Sequence, residues 1–318
     1  MSAIIEIKDL TKNYGPLTAL DQLTLDIKEG AVVGFIGPNG AGKTTTMRIL
    51  TTLLQPTSGE AWVAGHSIRQ SPQAVRRVIG YMPDFFGVYE DMKVWEYLDF
   101  FGACYNIPST GRTGMVDDLL ALVDLSHKKE AFVNDLSRGM KQRLCLARTL
   151  THDPQVLILD EPASGLDPRA RIEMRELLRE LKNMGKTIFF SSHILSEVAD
   201  ICTSLAIMEA GRLVVYDDIA TMRQHLRPHR LVEMRLLGPV APVQDLLLRH
   251  EQVLRFTNGD EESSLPAGTI RFDFTGDDEA LSDLLAAMIT AGNRIVSFKE
   301  EAGNLEDVFM QVTKGLVN

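Results

Sequence analysis

A chain of 318 residues, 45% hydrophobic and 24% charged, is long enough for two domains and apolar enough to bury a core. Its formal net charge of −10 argues against a surface that attracts nucleic acid, and no apolar run approaches the ~20 residues that span a bilayer. The start, MSAIIEIKDLTKNYG, lacks the basic-then-apolar order of a signal peptide, so a cytosolic protein is expected, with any membrane role passing through a partner.

In chain order, short β-branched runs predict strands at Ile4–Ile7, Leu23–Ile27 and Val32–Ile36, and a helix follows at Lys43–Leu53. A strand at Val78–Met82 precedes a mostly helical block, Lys93–Val123, interrupted by Pro108, Gly111 and Gly114. Next come helix Arg138–Leu150, strand Val156–Leu159, helix Ala170–Met184 and strands Thr187–Ser191 and Leu205–Met208. Strands alternating with helices imply an α/β fold with a parallel sheet, and the Lys93–Val123 block reads as a helical insertion in it.

From about Ile219 the texture changes. Strand Leu231–Leu236, helix Val243–Arg249, strands Val253–Phe256 and Thr269–Phe274, helix Glu279–Ala291 and strand Arg294–Phe298 make a βαββαβ order. That order predicts a small ferredoxin-like α+β domain. A last helix, Leu305–Lys314, has Asn304 as N-cap and Asp307 three residues on. The expected division is therefore 1–218 and 219–318. Cys104, Cys145 and Cys202 lie far apart without metal spacing, and Cys145 and Cys202 read as core fillers.

The segment GPNGAGKTTT matches GxxxxGK[ST] at Gly37, Gly42, Lys43 and Thr44, between an apolar strand and a helix. Glycines let backbone N–H groups wrap phosphates, and a helix N-terminus adds positive partial charge. The stretch Gly37, Pro38, Asn39, Gly40, Ala41, Gly42, Lys43, Thr44 and Thr45 is thus a candidate phosphate cradle. Lys43 is expected to reach the β- and γ-phosphates of a nucleotide, and the Thr44 hydroxyl to bind Mg²⁺.

In VLILDEP, Asp160 ends a buried strand and is a candidate Mg²⁺ holder through water. Glu161 beside it is a candidate base for a water attacking the γ-phosphate. His193, in SSH after another apolar strand, belongs at the same sheet edge, where it can donate to the γ-phosphate. By itself a strand-end histidine reads as structural.

The order of phosphate loop, helical insertion, LSRGMKQR (Leu136–Arg143), LILDEPASGLD (Leu157–Asp167) and SSH resembles the nucleotide-binding subunit of ATP-binding cassette (ABC) transporters, over roughly the first two-thirds of the chain. The resemblance implies a P-loop NTPase cassette over 1–218, a helical subdomain at about 84–150, and an accessory domain over 219–318. It implies ATP and Mg²⁺ as cofactors, ATP sandwiched in a dimer of cassettes, and Ser137 and Gly139 touching the γ-phosphate across the seam, with Asp167 lining it. By the same resemblance Tyr14, in NYG, stacks on adenine; otherwise it is an ordinary turn tyrosine.

Two departures from the family pattern stand out. The signature is LSRGM where the family consensus is LSGGQ, which leaves Arg138 either near phosphate or in a surface salt bridge. After VIGYMP the family has a glutamine, and this chain has Asp84, a candidate metal ligand, water-bridged group or loop former. Around it Phe85, Trp95, Phe100 and Phe101 are packed inside or line a groove for a short helix of a membrane partner.

The resemblance, strengthened by the LEDVFMQVTKG ending, is to drug- and polysaccharide-type exporter ATPases paired with a separate membrane permease. It implies an ATPase at the cytoplasmic face of the membrane, a second cassette as partner, and no nucleic acid. The alternatives are a soluble non-transport ABC ATPase and a regulatory ATP-binding module.

Overall fold

The computed structural model describes residues 3–85, 87, 91–194, 200–225, 230–258, 266 and 268–301. They form two compact units, the first running to Ile219 and the second beginning at Ala220.

The first unit opens with strands β1 (Ala3–Tyr14) and β2 (Leu17–Lys28), paired antiparallel. Strand β3 (Val32–Ile36) leads into helix α1 (Lys43–Leu50). Strands β4 (Ser58–Val63) and β5 (His66–Ser67) extend the first sheet in the order β2-β1-β4-β5. Helix α2 (Pro72–Val78) then runs directly into β6 (Ile79–Met82).

The expectation that the first two strands join a parallel sheet is overturned. Tyr14 and Leu17 are separated only by Gly15 and Pro16, with Gly15 left-handed at φ 58. Two residues close a hairpin but cannot carry a parallel crossover. Strand β2 also buries Leu23, Leu25 and Ile27 alternately with exposed residues, the mark of a one-sided sheet.

Helices α3 (Val94–Cys104), α4 (Ser109–Leu122) and α5 (Arg138–Leu150) form the helical insertion. Pro108 caps α4, but Gly111 and Gly114 lie inside it without breaking it. Each interior glycine costs only about 1 kcal/mol, which neighbouring packing offsets. Of the four aromatics expected inside or lining a groove, Phe85 is 90% exposed and Phe100 is also exposed, while Trp95 and Phe101 are half-buried. Tyr97, between them on α3, is fully buried. Arg148 Nη1 donates to Tyr97 Oη at 3.2 Å and lies over the Phe101 ring. Cys145 on α5 is buried, and burial pushes its thiol up to about 11.

The rest of the unit comprises β7 (Val156–Leu159), α6 (Pro168–Asn183), β8 (Thr187–Ser192), β9 (Ser204–Glu209) and β10 (Arg212–Asp218). Helix α7 (Ile219–His225) follows. The central sheet has the order β10-β9-β3-β8-β7-β6, parallel throughout except for β10. Every residue of β3, β7, β8 and β9 is buried, as expected for strands covered on both faces. Strands β3, β8 and β7 are neighbours, so their carboxyl ends bring three separate loops to one edge, the usual ligand edge of an open α/β sheet.

In the second unit, β11 (Arg230–Leu236), α8 (Ala241–Leu248), β12 (Val253–Asn258), β13 (Thr269–Phe274), α9 (Asp278–Thr290) and β14 (Ile295–Glu301) follow in sequence. The strands form an antiparallel sheet in the order β12-β13-β11-β14. Val232, Met234, Phe272 and Phe274 pack with Val243, Leu247, Leu284 and Met288 into a core of its own. Glu233 binds Arg271 and Lys299 at 2.9 and 3.0 Å, a charge ladder across β13, β11 and β14. The expected helix Leu305–Lys314 lies outside the described residues. Among those described, no helix is long and apolar enough to cross a membrane.

Candidate functional site

The chain leaves buried β3 at Gly37, where an added Cβ would collide with the Met208 carbonyl oxygen. Gly42 is left-handed at φ 98, and a Cβ there would sit 2.6 Å from Leu20 Cδ2 and 2.7 Å from Ala19 O. The loop therefore needs glycine at both ends, once for space and once for conformation as well. Helix α1 begins immediately after Gly42, which contributes no side-chain cap. Such a helix start combines N–H donors with a positive partial charge, a favourable seat for an anion.

Lys43 is 6% exposed, and its Nζ donates to Gly37 O at 2.6 Å and Pro38 O at 3.1 Å. Burial lowers its pKa, while Glu161 and Asp160 act in the opposite direction. The two acids therefore help keep a buried ammonium charged.

Asp160 is 1% exposed at the end of β7. Its Oδ1 accepts from Ser191 Oγ at 2.7 Å and from Thr44 Oγ1 at 3.2 Å. The Ser191 oxygen in turn accepts from the Glu161 N–H at 2.9 Å. Glu161 adopts a left-handed φ of 51, an uncommon state for a residue with a side chain. In that conformation its Oε2 lies 2.9 Å from His193 Nδ1 and its Oε1 lies 3.9 Å from Lys43 Nζ. Glu161 is thus held between a histidine and the loop lysine.

These groups meet at a cleft of about 450 Å³ lined by residues including Tyr14, Asn39 to Thr45, Asp84, Glu161, Ser164 and His193. Gly37 and Pro38 act from behind through the carbonyls that hold Lys43. Asp160 also stands behind, reached through Thr44. Tyr14 is 45% exposed, and Lys12 Nζ lies 5.1 Å from its ring centroid. Asp84 is exposed where the chain leaves β6.

Ser137 and Gly139 are elsewhere. Ser137 caps α5, its Oγ accepting from Met140 N at 3.3 Å, and neither residue lines the cleft. Asp167 caps α6 through the Ala170 N–H at 2.9 Å. Arg138 Nη2 donates to Ser164 O at 3.2 Å. Two residues in the arrangement were not assigned from sequence. Ser191 had a signal, its place two residues before His193, but Ser164 had none beyond lying in SGLD.

Among the described residues no group of three or more His, Cys, Asp and Glu could hold a metal by itself. The Thr44 hydroxyl and Asp160 carboxylate are a pair of hard oxygens that fits a cation completing its shell with phosphate and water.

A sequence model of the family described as ABC transporter matches residues 20–164. The chain is 35% identical over 314 residues to "Nod factor export ATP-binding protein I" of Cupriavidus metallidurans, covering 98% of each chain. It is 41% identical over 215 residues to "Bacitracin transport ATP-binding protein BcrA" of Bacillus licheniformis, covering 67% of this chain and 69% of that protein. Among solved structures, an ATP-binding subunit of an ABC transporter aligns with a TM-score of 0.63 at 30% identity, covering 70% of this chain and 92% of that one. CbiO1 of Clostridium perfringens, part of the transporter complex cbiONQ, aligns with a TM-score of 0.63 at 28% identity, covering 70% and 90%.

Proposed function

The chain belongs to the ABC transporter family, and from that premise we propose that two copies close on ATP, hydrolyse it and drive a separate membrane permease. The chain is the ATP-binding subunit of an export system and an ATPase. The observation that carries the catalytic reading is the convergence of Lys43, Thr44, Glu161 and His193 around Asp160 at one sheet edge.

The glycine-rich turn and the start of α1 cradle the phosphates of ATP. Lys43 leaves the Gly37 and Pro38 carbonyls to neutralise β- and γ-oxygens. Thr44, and Asp160 through water, would hold a Mg²⁺, which would supply charge neutralisation for the phosphates. Glu161 accepts the proton of the attacking water as the water oxygen bonds to the γ-phosphorus. The bond from that phosphorus to the β–γ bridging oxygen then breaks. His193 holds the Glu161 carboxylate in position, and Ser191 fixes both Asp160 and the Glu161 backbone. Tyr14, at the cleft mouth, offers its ring to adenine.

The separation of Ser137 and Gly139 from their own cleft supports a site completed by a second copy. The signature of one chain then contacts the γ-phosphate held by the other. The second unit is read as ferredoxin-like, supported by its βαββαβ sequence and the strand order β12-β13-β11-β14. Coupling to a permease places the protein at the cytoplasmic face of the membrane.

The testing experiment is Glu161→Gln. This variant should bind ATP, lose phosphate release by about 10²–10⁴-fold, and accumulate as an ATP-bound dimer on size exclusion. Wild-type turnover in the variant would remove Glu161 as the base. Absence of Lys43-dependent turnover in the unmodified protein would favour the regulatory alternative.

A further inference from the structure

Two side chains of α5 hold the loop that follows Glu161. Gln142 Nε2 donates to Pro162 O at 2.7 Å in a buried bond. One turn earlier, Arg138 Nη2 donates to Ser164 O at 3.2 Å. Residues four apart share a helix face, so the two bonds grip the loop side by side. The arginine has a shaped seat: Gly165 is left-handed at φ 66, and a Cβ there would collide with the Arg138 guanidinium. A Cβ on Gly139 would likewise come within 3.0 Å of Ala170 Cβ, so the first turns of α5 and α6 are in close contact.

The gripped loop belongs to the cleft. Ser164 lines it with Glu161 and Lys43, whereas Ser137, the cap of α5, does not. The Arg138 contact therefore joins the start of α5, which does not line the cleft, to a loop that does.

We propose that Arg138 is a positioning residue, a latch through which phosphate engaged at Ser137 by a second copy sets the placement of Ser164 and Glu161 in the chain's own cleft. The proposal rests on the two-cassette reading above. Arginine suits the task because its planar guanidinium stays charged, lies flat over a glycine and directs a donor to a carbonyl at the same time. Coupling of this kind changes how one site responds to the other without changing how a single site first binds its ligand.

The test compares full-length wild type, Arg138→Ala and Arg138→Lys in ATP hydrolysis against ATP concentration, with ATP binding to the Glu161→Gln background and melting temperature measured in parallel. In Arg138→Ala the Hill coefficient should fall from about 2 to about 1. Its kcat should fall about tenfold, while half-saturation in the binding assay changes by less than about twofold. Arg138→Lys, which keeps a donor of similar reach, should recover part of the cooperativity. A cooperative wild type with an equally cooperative Arg138→Ala overturns the latch alone. A wild-type coefficient of about 1 overturns the two-cassette reading and the latch with it. Loss of cooperativity accompanied by equal loss of ATP binding or of melting temperature assigns Arg138 a structural role and also overturns the latch.

Discussion

His193 Nδ1 stands 2.9 Å from Glu161 Oε2, and this contact decides which ring nitrogen carries the proton. An ionised carboxylate only accepts, so Nδ1 donates and Nε2 of a neutral ring is left as an acceptor. The expected bond from His193 to a γ-phosphate then requires either the imidazolium or release of Glu161. On the reading proposed above, the histidine aims the base. His193→Ala should lower kcat about 10²-fold with ATP affinity nearly unchanged, because it removes orientation and not a binding group. Single-turnover phosphate release beside equilibrium ATP binding checks this; parallel losses in both would assign His193 to binding.

The two kinds of glycine constraint can be separated by measurement. Gly30 is left-handed at φ 73 with open space where a Cβ would stand, while Gly42 is left-handed and crowded by Leu20 and Ala19. Gly30→Ala should cost about 1 kcal/mol, the conformational term alone. Gly42→Ala should cost roughly 3 kcal/mol or more, since backbone must move as well, and should abolish ATP binding. Denaturant melts of both variants give the comparison. Equal costs would mean the loop relaxes freely.

His152 supplies a pH dependence. Its ring stacks on Tyr105 at a centroid distance of 3.9 Å, and Nε2 lies 2.8 Å from Ile79 O. The Ile79 carbonyl accepts, so Nε2 carries the proton and the buried Nδ1 has no partner. Burial is the main cause lowering the histidine's pKa, against the Ile79 bond, which raises it. A folded-state pKa below the unfolded one gives a contribution that is complete above the unfolded value, about 6.5, and is lost as pH falls through the folded value. The melting temperature should therefore fall on acidification below about pH 6.5, and His152→Gln, which keeps a donor for Ile79, should fall less steeply. Identical slopes would exclude His152 as a contributor.

Asp84 lines the cleft without a buried setting. As a metal ligand it would be a hard oxygen added to Thr44 and Asp160. On that reading, Asp84→Asn raises the Mg²⁺ concentration for half-maximal hydrolysis about tenfold and leaves metal-free ATP binding intact. An unchanged Mg²⁺ requirement would leave Asp84 as a loop former.

Much of this was legible along the chain because it is local. The buried strand Val32–Ile36 followed by Gly37 to Thr45 specifies a strand, a turn and a helix start within a few residues of one another. Helix Arg138–Leu150 has the same limits in sequence and structure, since Ser137 caps it and its apolar face repeats at helical spacing. Asp160 and Glu161 stand out because charge directly follows a fully apolar strand.

The remainder depends on residues distant in sequence. Thr44 and Asp160 are 116 residues apart and Glu161 and His193 are 32 apart, yet each pair is within hydrogen-bonding reach. Only the neighbouring of parallel β3, β8 and β7 makes those distances short. The exposure of Phe85, the antiparallel pairing of Ala3–Tyr14 with Leu17–Lys28 and the Arg138 bond to Ser164 are of the same kind. Backbone propensity and periodicity act over a few residues, so the amino-acid order alone names the groups and their local frames. Which group touches which is settled by long-range packing, and that is decided only when the sheet is assembled.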